Sequence, residues 1–202
     1  LDVEFRFLED RLYRKDIDNL LTPILESARD SGWVEKGFGW LGSVTARKVV
    51  VANPSQVGAV ITPRVVPSLA DCNRAGVFIE AALSQLDATT VKWALYDSAF
   101  DLYQRCPRLR FTPQSPISVE IHVTIDNAGR RKSIKDLLKP CIDGLEPILG
   151  HPDNLLPEPR EVLQRRQRRL APQDEMVLSL AFHVRGGDAN KVSALISPYQ
   201  CD

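Results

Sequence analysis

An α/β fold, with mixed β-sheet and flanking helices, is what this sequence predicts, and three observations predict it. Runs of period-two hydrophobicity alternate with runs of helical period. One strand, turn and helix unit is written twice. Apolar residues make up 44% of the 202 positions, enough for an ordinary buried core.

The repeat comes first. Residues 3–26, VEFRFLEDRLYRKDIDNLLTPILE, return as residues 119–143, VEIHVTIDNAGRRKSIKDLLKPCID, with one residue of slippage before the basic pair. Each copy reads as an alternating strand (Val3, Phe5, Phe7; Val119, Ile121, Val123, Ile125), a basic turn, and a helix opening with LLxP. Pro23 suits a first helical turn and starts the first helix near residues 18–21.

Between the copies, residues 30–48 are rich in glycine and tryptophan and read as a turn or loop into a strand at 47–52. An extended edge segment at 57–66, broken by Pro63, is expected to form a hairpin with that strand. Apolar spacing predicts two helices, 69–86 and 91–103, joined across 87–90 where Asp87 and Thr89 are good caps. The prolines of 106–116 mark an extended linker into the second copy.

After the second copy, prolines and a glycine in 145–159 exclude a long helix, and 161–170 reads as a short basic helix or an exposed strand. Residues 176–184 are a core strand ended by Gly186 and Gly187, and the tail beyond has no assignment. A boundary near 66–69 divides the chain into a first unit, 1–67, and a second, 68–202, packed as an intrachain pseudo-dimer.

Acidic and basic residues number 26 each, so no global charge draws the chain to nucleic acid and any such binding must be local. Cys72, Cys106, Cys141 and Cys201 are too widely spaced for CxxC metal ligation, and a reduced, cytoplasmic setting is expected. The apolar runs are too short to span a bilayer. Leu1, in place of a methionine, reads as a trimmed start or a fragment. No GxSxG, P-loop or dinucleotide glycine motif is present.

The two copies differ at their acidic centre. The first keeps Asp16-Ile17-Asp18-Asn19, two carboxylates two residues apart where strand gives way to helix; the second has Ser133-Ile134-Lys135-Asp136. A hard divalent cation such as Mg²⁺ takes oxygen ligands, commonly one or two carboxylates with waters and phosphate oxygens, and Asp16 and Asp18 can supply them. The geometry requires Asp16 to stay outside the helix, because an i,i+2 pair within a helix lies about 200° apart. The plainer reading makes Asp18 or Asn19 a helix cap and Asp16 a solvated turn acid.

A strand, Arg14-Lys15, DxDN and a helix together resemble the RusA family of Holliday junction resolvases. The resemblance covers about residues 3–36 and 118–184, and it implies a Mg²⁺-dependent endodeoxyribonuclease of DNA recombination and repair, cutting branched DNA. It also implies a lysine in the helix, an acid further along it, and an acidic pair before the next strand. The first copy departs at Thr22, where the family has lysine; Glu26 stands at the helix acid, and the later pair is at best Glu35-Lys36. The second copy complements it with Lys139, Asp143 and Asp153-Asn154, while Ser133 and Lys135 replace the metal-binding acids. An ammonium about 4 Å from a divalent ion costs roughly 8 kcal/mol at an effective dielectric of 20, so the second copy should not hold Mg²⁺ unaided.

Three functional readings follow. In the first, Asp16 and Asp18 hold Mg²⁺, Glu35 completes the ion shell, Asp153 is a further catalytic candidate, and Lys139 assists a phosphate if the copies meet in a composite site; the product is a nick. In the second, both sites are inactive and Arg14, Lys15, Arg130, Arg131, Lys132, Arg165, Arg166, Arg168 and Arg169 hold DNA phosphates, though Arg165, Arg166, Arg168 and Arg169 read equally as a solvated face. In the third, the fold is an assembly domain. His122 and His183 read as strand-face histidines, because neither has a neighbour at ligand spacing. His151 beside Asp153 suggests proton transfer, and Trp33 and Trp40 anchor a loop or stack on unpaired bases.

Overall fold

The computed structural model describes residues 1–13, 15–30, 43–62, 76–109, 116–126 and 134–199. The fold is α/β, a seven-stranded mixed sheet with helices against it. The strands are β1 (Asp2–Phe7), β2 (Ser43–Val50), β3 (Gly58–Thr62), β4 (Val77–Ala82), β5 (Ile117–Asp126), β6 (Val177–Gly187) and β7 (Lys191–Pro198). The helices are α1 (Ile17–Asp30), α2 (Ala88–Arg105), α3 (Ile134–Gly144), the single turn α4 (Glu146–Leu149) and α5 (Arg160–Arg165).

The sheet runs β3-β1-β2-β6-β5-β7-β4. β1 is parallel to β2 and antiparallel to β3; β5 is parallel to β6 and antiparallel to β7; β2 and β6 meet antiparallel in the middle. The repeated segments therefore each supply a strand and a helix followed by a parallel and then an antiparallel neighbour. All seven strands belong to one continuous sheet, joined through the β2–β6 pair.

Period-two burial decides which face carries the core. Val3 and Phe5 of β1, Val44 and Ala46 of β2, Val119, Ile121 and Val123 of β5, and Leu180 and Phe182 of β6 face one side. Against them pack Ile17, Leu21 and Leu25 of α1, Val91, Leu95 and Ala99 of α2, and Leu137, Leu138, Cys141 and Ile142 of α3. α2 and α3 cross at close range. A methyl on Gly144 would lie 2.6 Å from the Lys92 carbonyl oxygen and 2.8 Å from Leu95 Cβ, so only glycine fits without movement.

Two expectations are corrected. The hairpin of residues 47–52 with 57–66 does not form, because β3 pairs with β1 and leaves β2 to β6; β3 is an edge strand. The helix expected over 69–86 is, where described, strand β4, with Val77, Ile79 and Ala81 buried and their neighbours exposed. A stretch holding both periods is ambiguous, and the open edge of β7 selects period two. The unassigned tail forms β7, between β5 and β4. Asp87 caps α2 as expected, its carboxylate accepting from the Thr89 and Thr90 amides. The boundary near 66–69 lies outside the described residues.

Candidate metal centre

The site forms at one edge of the helix-covered face, where β1 and β2 end and β6 begins. α1 starts at Ile17, earlier than Pro23 suggested, which leaves Asp16 as the residue before the helix, its carbonyl accepting from Leu20 N at 3.1 Å. Asn19 Nδ2 donates to Asp16 Oδ2 at 2.7 Å, fixing that side chain. Asp18 sits in the first turn, where a carboxylate is favoured by the helix dipole. Its Oδ1 accepts from Asn19 N at 2.7 Å, and the residue is only 2% exposed because Ile17 and Leu21 draw this turn into the core. The two acids converge because one lies just outside the helix and the other inside its first turn.

A third carboxylate joins them from 156 positions further along the chain than Asp18. Asp174 opens a single 3-10 turn, Asp174–Met176, directly ahead of β6, and is 6% exposed. One oxygen each from Asp16, Asp18 and Asp174 lie within 4.8 Å of one another. The segment before Asp174 is held by α4 and its exit: Glu146 accepts from Ala171 N at 2.6 Å, and Gln173 N donates to the Gly150 carbonyl at 3.0 Å.

Two lysines border the cluster. Lys139 of α3 places Nζ 3.4 Å from Asp18 Oδ2 and 3.5 Å from Asp143 Oδ1, so side chains from both repeated segments meet. Lys48 occupies an inward position of β2 after Val44 and Ala46, is 2% exposed, and donates to the Glu175 carbonyl at 2.9 Å.

Burial, reinforced by Asp18 and Asp16, pushes the Asp174 carboxyl up to about 8. Burial pulls the Lys48 ammonium down to about 8 despite Asp16 and Asp174 beside it. For Lys139, burial acts downward, but Asp18, Asp143 and Asp174 together outweigh it and hold the ammonium above its ordinary value. Burial also raises Asp143, against the pull of Lys139. Fully ionised, Asp16, Asp18, Asp174 and Asp143 exceed the two lysines by two negative charges.

That excess and an all-oxygen donor set suit a hard divalent cation. With one oxygen of each acid within 4.8 Å of the others, all three carboxylates can reach a single ion. The residues fit a metal ion: Asp174 is raised first by burial and then by repulsion from Asp18 and Asp16, and a cation would offset both.

Other expected site residues lie elsewhere. Asp153 is not among the clustered acids; its side chain is 78% exposed, and its amide donates to His151 Nδ1 at 3.1 Å. That bond uses the His151 nitrogen nearest Asp153. Glu35, Arg14, Arg130, Arg131, Lys132, Trp33 and Trp40 lie outside the described residues. Lys15, Arg165 and Arg169 are exposed, and Arg166 is paired with Glu158 at 2.7 Å. Arg168 is a correction. Its side chain is 15% exposed and its guanidinium bonds the buried Glu146 carboxylate, so it braces the fold rather than facing a phosphate.

Asp174 and Lys48 were not anticipated, although both left a signal. Asp174-Glu175 is an acidic pair immediately before a core strand, and Lys48 is a charge at an inward position of an alternating strand. Gapless spacing within the second copy pointed to Asp153-Asn154 instead. Comparison of the chain with protein-family models, with curated proteins and with solved structures returns no match.

Proposed function

We propose that the chain is a RusA-like, Mg²⁺-dependent endodeoxyribonuclease acting on branched DNA, with one active centre assembled from both repeated segments. The observation that carries this reading is the meeting of Lys139 with Asp18 beside Asp16 and Asp174. Mg²⁺ held by Asp16, Asp18 and Asp174 supplies water activation and stabilisation of the leaving oxygen in phosphodiester hydrolysis.

The chain's own residues do the rest. Asn19 holds the Asp16 carboxylate in place. Lys48, fixed by the Glu175 carbonyl, partly neutralises the buried acids from below. The Lys139 side chain is 56% exposed, so its ammonium can pair with a phosphate oxygen while staying beside Asp18. Exposed Lys15, Arg165 and Arg169 add phosphate contacts, which makes binding salt-dependent. Two tethered repeats take the place of two associating subunits, and Ser133 and Lys135 leave the second without metal acids, so the product is a nick.

The test is a labelled four-way junction incubated with Mg²⁺ and the natural chain, Asp16→Asn, Asp18→Asn, Asp174→Asn or Lys139→Met. The proposal requires nicking by the natural chain that each aspartate variant loses. Salt-sensitive binding without cleavage would instead identify an inactive DNA-binding protein, and neither binding nor cleavage an assembly domain.

A further inference from the structure

On the sheet face opposite the helices, β5 and β6 bring together three side chains of a different chemistry. His122 and His183 are direct neighbours in the parallel β5–β6 register, and Glu120 lies two residues before His122 on the same face. One donor atom from each of Glu120, His122 and His183 lies within 4.8 Å of the others. His122 Nε2 is 2.7 Å and His183 Nε2 3.9 Å from Glu120 Oε1. The two rings stack with centroids 4.7 Å apart.

His183 makes this more than a chance grouping. Its side chain is 10% exposed, and its Nε2 is buried and has no hydrogen-bond partner among the described residues, although it lies 3.9 Å from the Glu120 carboxylate. A buried polar nitrogen left unpaired costs about 1–3 kcal/mol, which a bound ion would recover. Burial first, then His122, holds the His183 imidazole below its ordinary pKa, favouring the neutral form whose lone pair ligates metals.

We propose that Glu120, His122 and His183 form a second metal site, selective for a borderline transition ion and best suited to Zn²⁺. The donor set, two imidazoles and one carboxylate, is softer than the all-oxygen cluster beside Asp18, so the two sites take different ions. Tetrahedral Zn²⁺ with bonds of about 2.0–2.1 Å sets ligand atoms about 3.3 Å apart. The observed 2.7 and 3.9 Å bracket that separation. Three protein ligands leave a fourth position for water, as open rather than purely structural zinc sites do. His183 lies six residues along β6 from Val177, about 20 Å of extended backbone beyond the turn that holds Asp174, and on the other sheet face, so ion binding here is separable from the acidic centre.

The experiment is calorimetric titration of the chelator-stripped chain with ZnCl₂, in an Asp16→Asn/Asp18→Asn background that disables the acidic cluster. One equivalent of Zn²⁺ should bind, with affinity falling on the order of 100-fold in His122→Ala and His183→Ala and at least about 10-fold in Glu120→Gln. Absence of binding, or binding unchanged by the histidine substitutions, overturns the proposal. Should a histidine variant fail to fold, the Co²⁺-loaded natural chain decides: intense visible bands of a four-coordinate nitrogen-bearing site support it, and only weak bands of an octahedral oxygen site overturn it.

Discussion

Replacing Asp174 by asparagine should stabilise the metal-free protein and, under the proposed function, abolish the Mg²⁺ response. The folded carboxyl titrates at about 8 against an ordinary 3.8, because it is buried beside Asp18 and Asp16. Below about pH 4 both folded and unfolded chains hold the proton, and the site costs nothing. As pH rises from there towards 8, the unfolded chain ionises while the folded chain keeps the proton, so stability declines across that window and the loss is complete once the folded group ionises. At 1.36 kcal/mol per unit the ceiling is roughly 6 kcal/mol, and relaxation of the site leaves an expected gain of about 1–3 kcal/mol for the amide at pH 8. For a chain of this length that is about 3–10 °C in Tm. The assay is thermal unfolding in chelator at pH 5 and pH 8. Near pH 5 the folded acid is protonated like the amide while the unfolded one is already ionised, so the variant should melt only slightly higher; at pH 8 the gap should be about threefold larger. Added Mg²⁺ should reverse the order at pH 8 by stabilising only the natural chain. A variant that melts lower at pH 8, or a difference independent of pH, would refute the account of Asp174 as a carboxyl raised by burial beside two other acids.

Under the proposed function, Lys139→Met should lower the rate of junction nicking by about 10²–10³-fold and stability by less than about 1 kcal/mol, since its side chain is 56% exposed; single-turnover kinetics and a urea melt separate the two. Arg168→Met should cost about 3–5 kcal/mol in denaturant unfolding, because it leaves the 2%-exposed Glu146 carboxylate without its guanidinium. By contrast, Arg165→Ala should leave stability within about 0.5 kcal/mol of the natural chain, and if the exposed residue contacts a phosphate, reduce the salt slope of junction binding by about 1. Gly144→Ala should destabilise by about 1–3 kcal/mol in the same urea melt, because its methyl meets backbone of α2 at 2.6 Å.

Local chemistry explains what could be read from the chain. The α/β class, α2 with its Asp87 cap, and the core strand β6 follow from periodicity and capping, which are properties of neighbouring residues. β4 was misread because Phe78, Ile79, Ala82 and Leu83 satisfy a helical period while Val77, Ile79 and Ala81 satisfy a strand period, and only pairing with β7 decides between them. The histidine pair was invisible for a related reason. His122 and His183 are 61 positions apart and become neighbours only through the parallel register of β5 and β6, so no linear spacing could mark them as ligands.

The acidic centre shows the same limit in a form that can be reasoned through. Within either repeated segment the charges look deficient: the first has Asp16 and Asp18 but Thr22 at the lysine position, and the second has Lys139 but Ser133 and Lys135 at the acid positions. Such deficits argue for decay only if each segment must build its own site. The antiparallel β2–β6 pair removes that premise, because it sets the end of β2, with Lys48, beside the start of β6, with Asp174-Glu175. α3 then carries Lys139 to Asp18 across the same junction. Once the two segments share one sheet, a lysine missing from one and acids missing from the other leave a single set of three carboxylates and two ammoniums, so substitutions that look like losses in the linear chain are compatible with one intact centre.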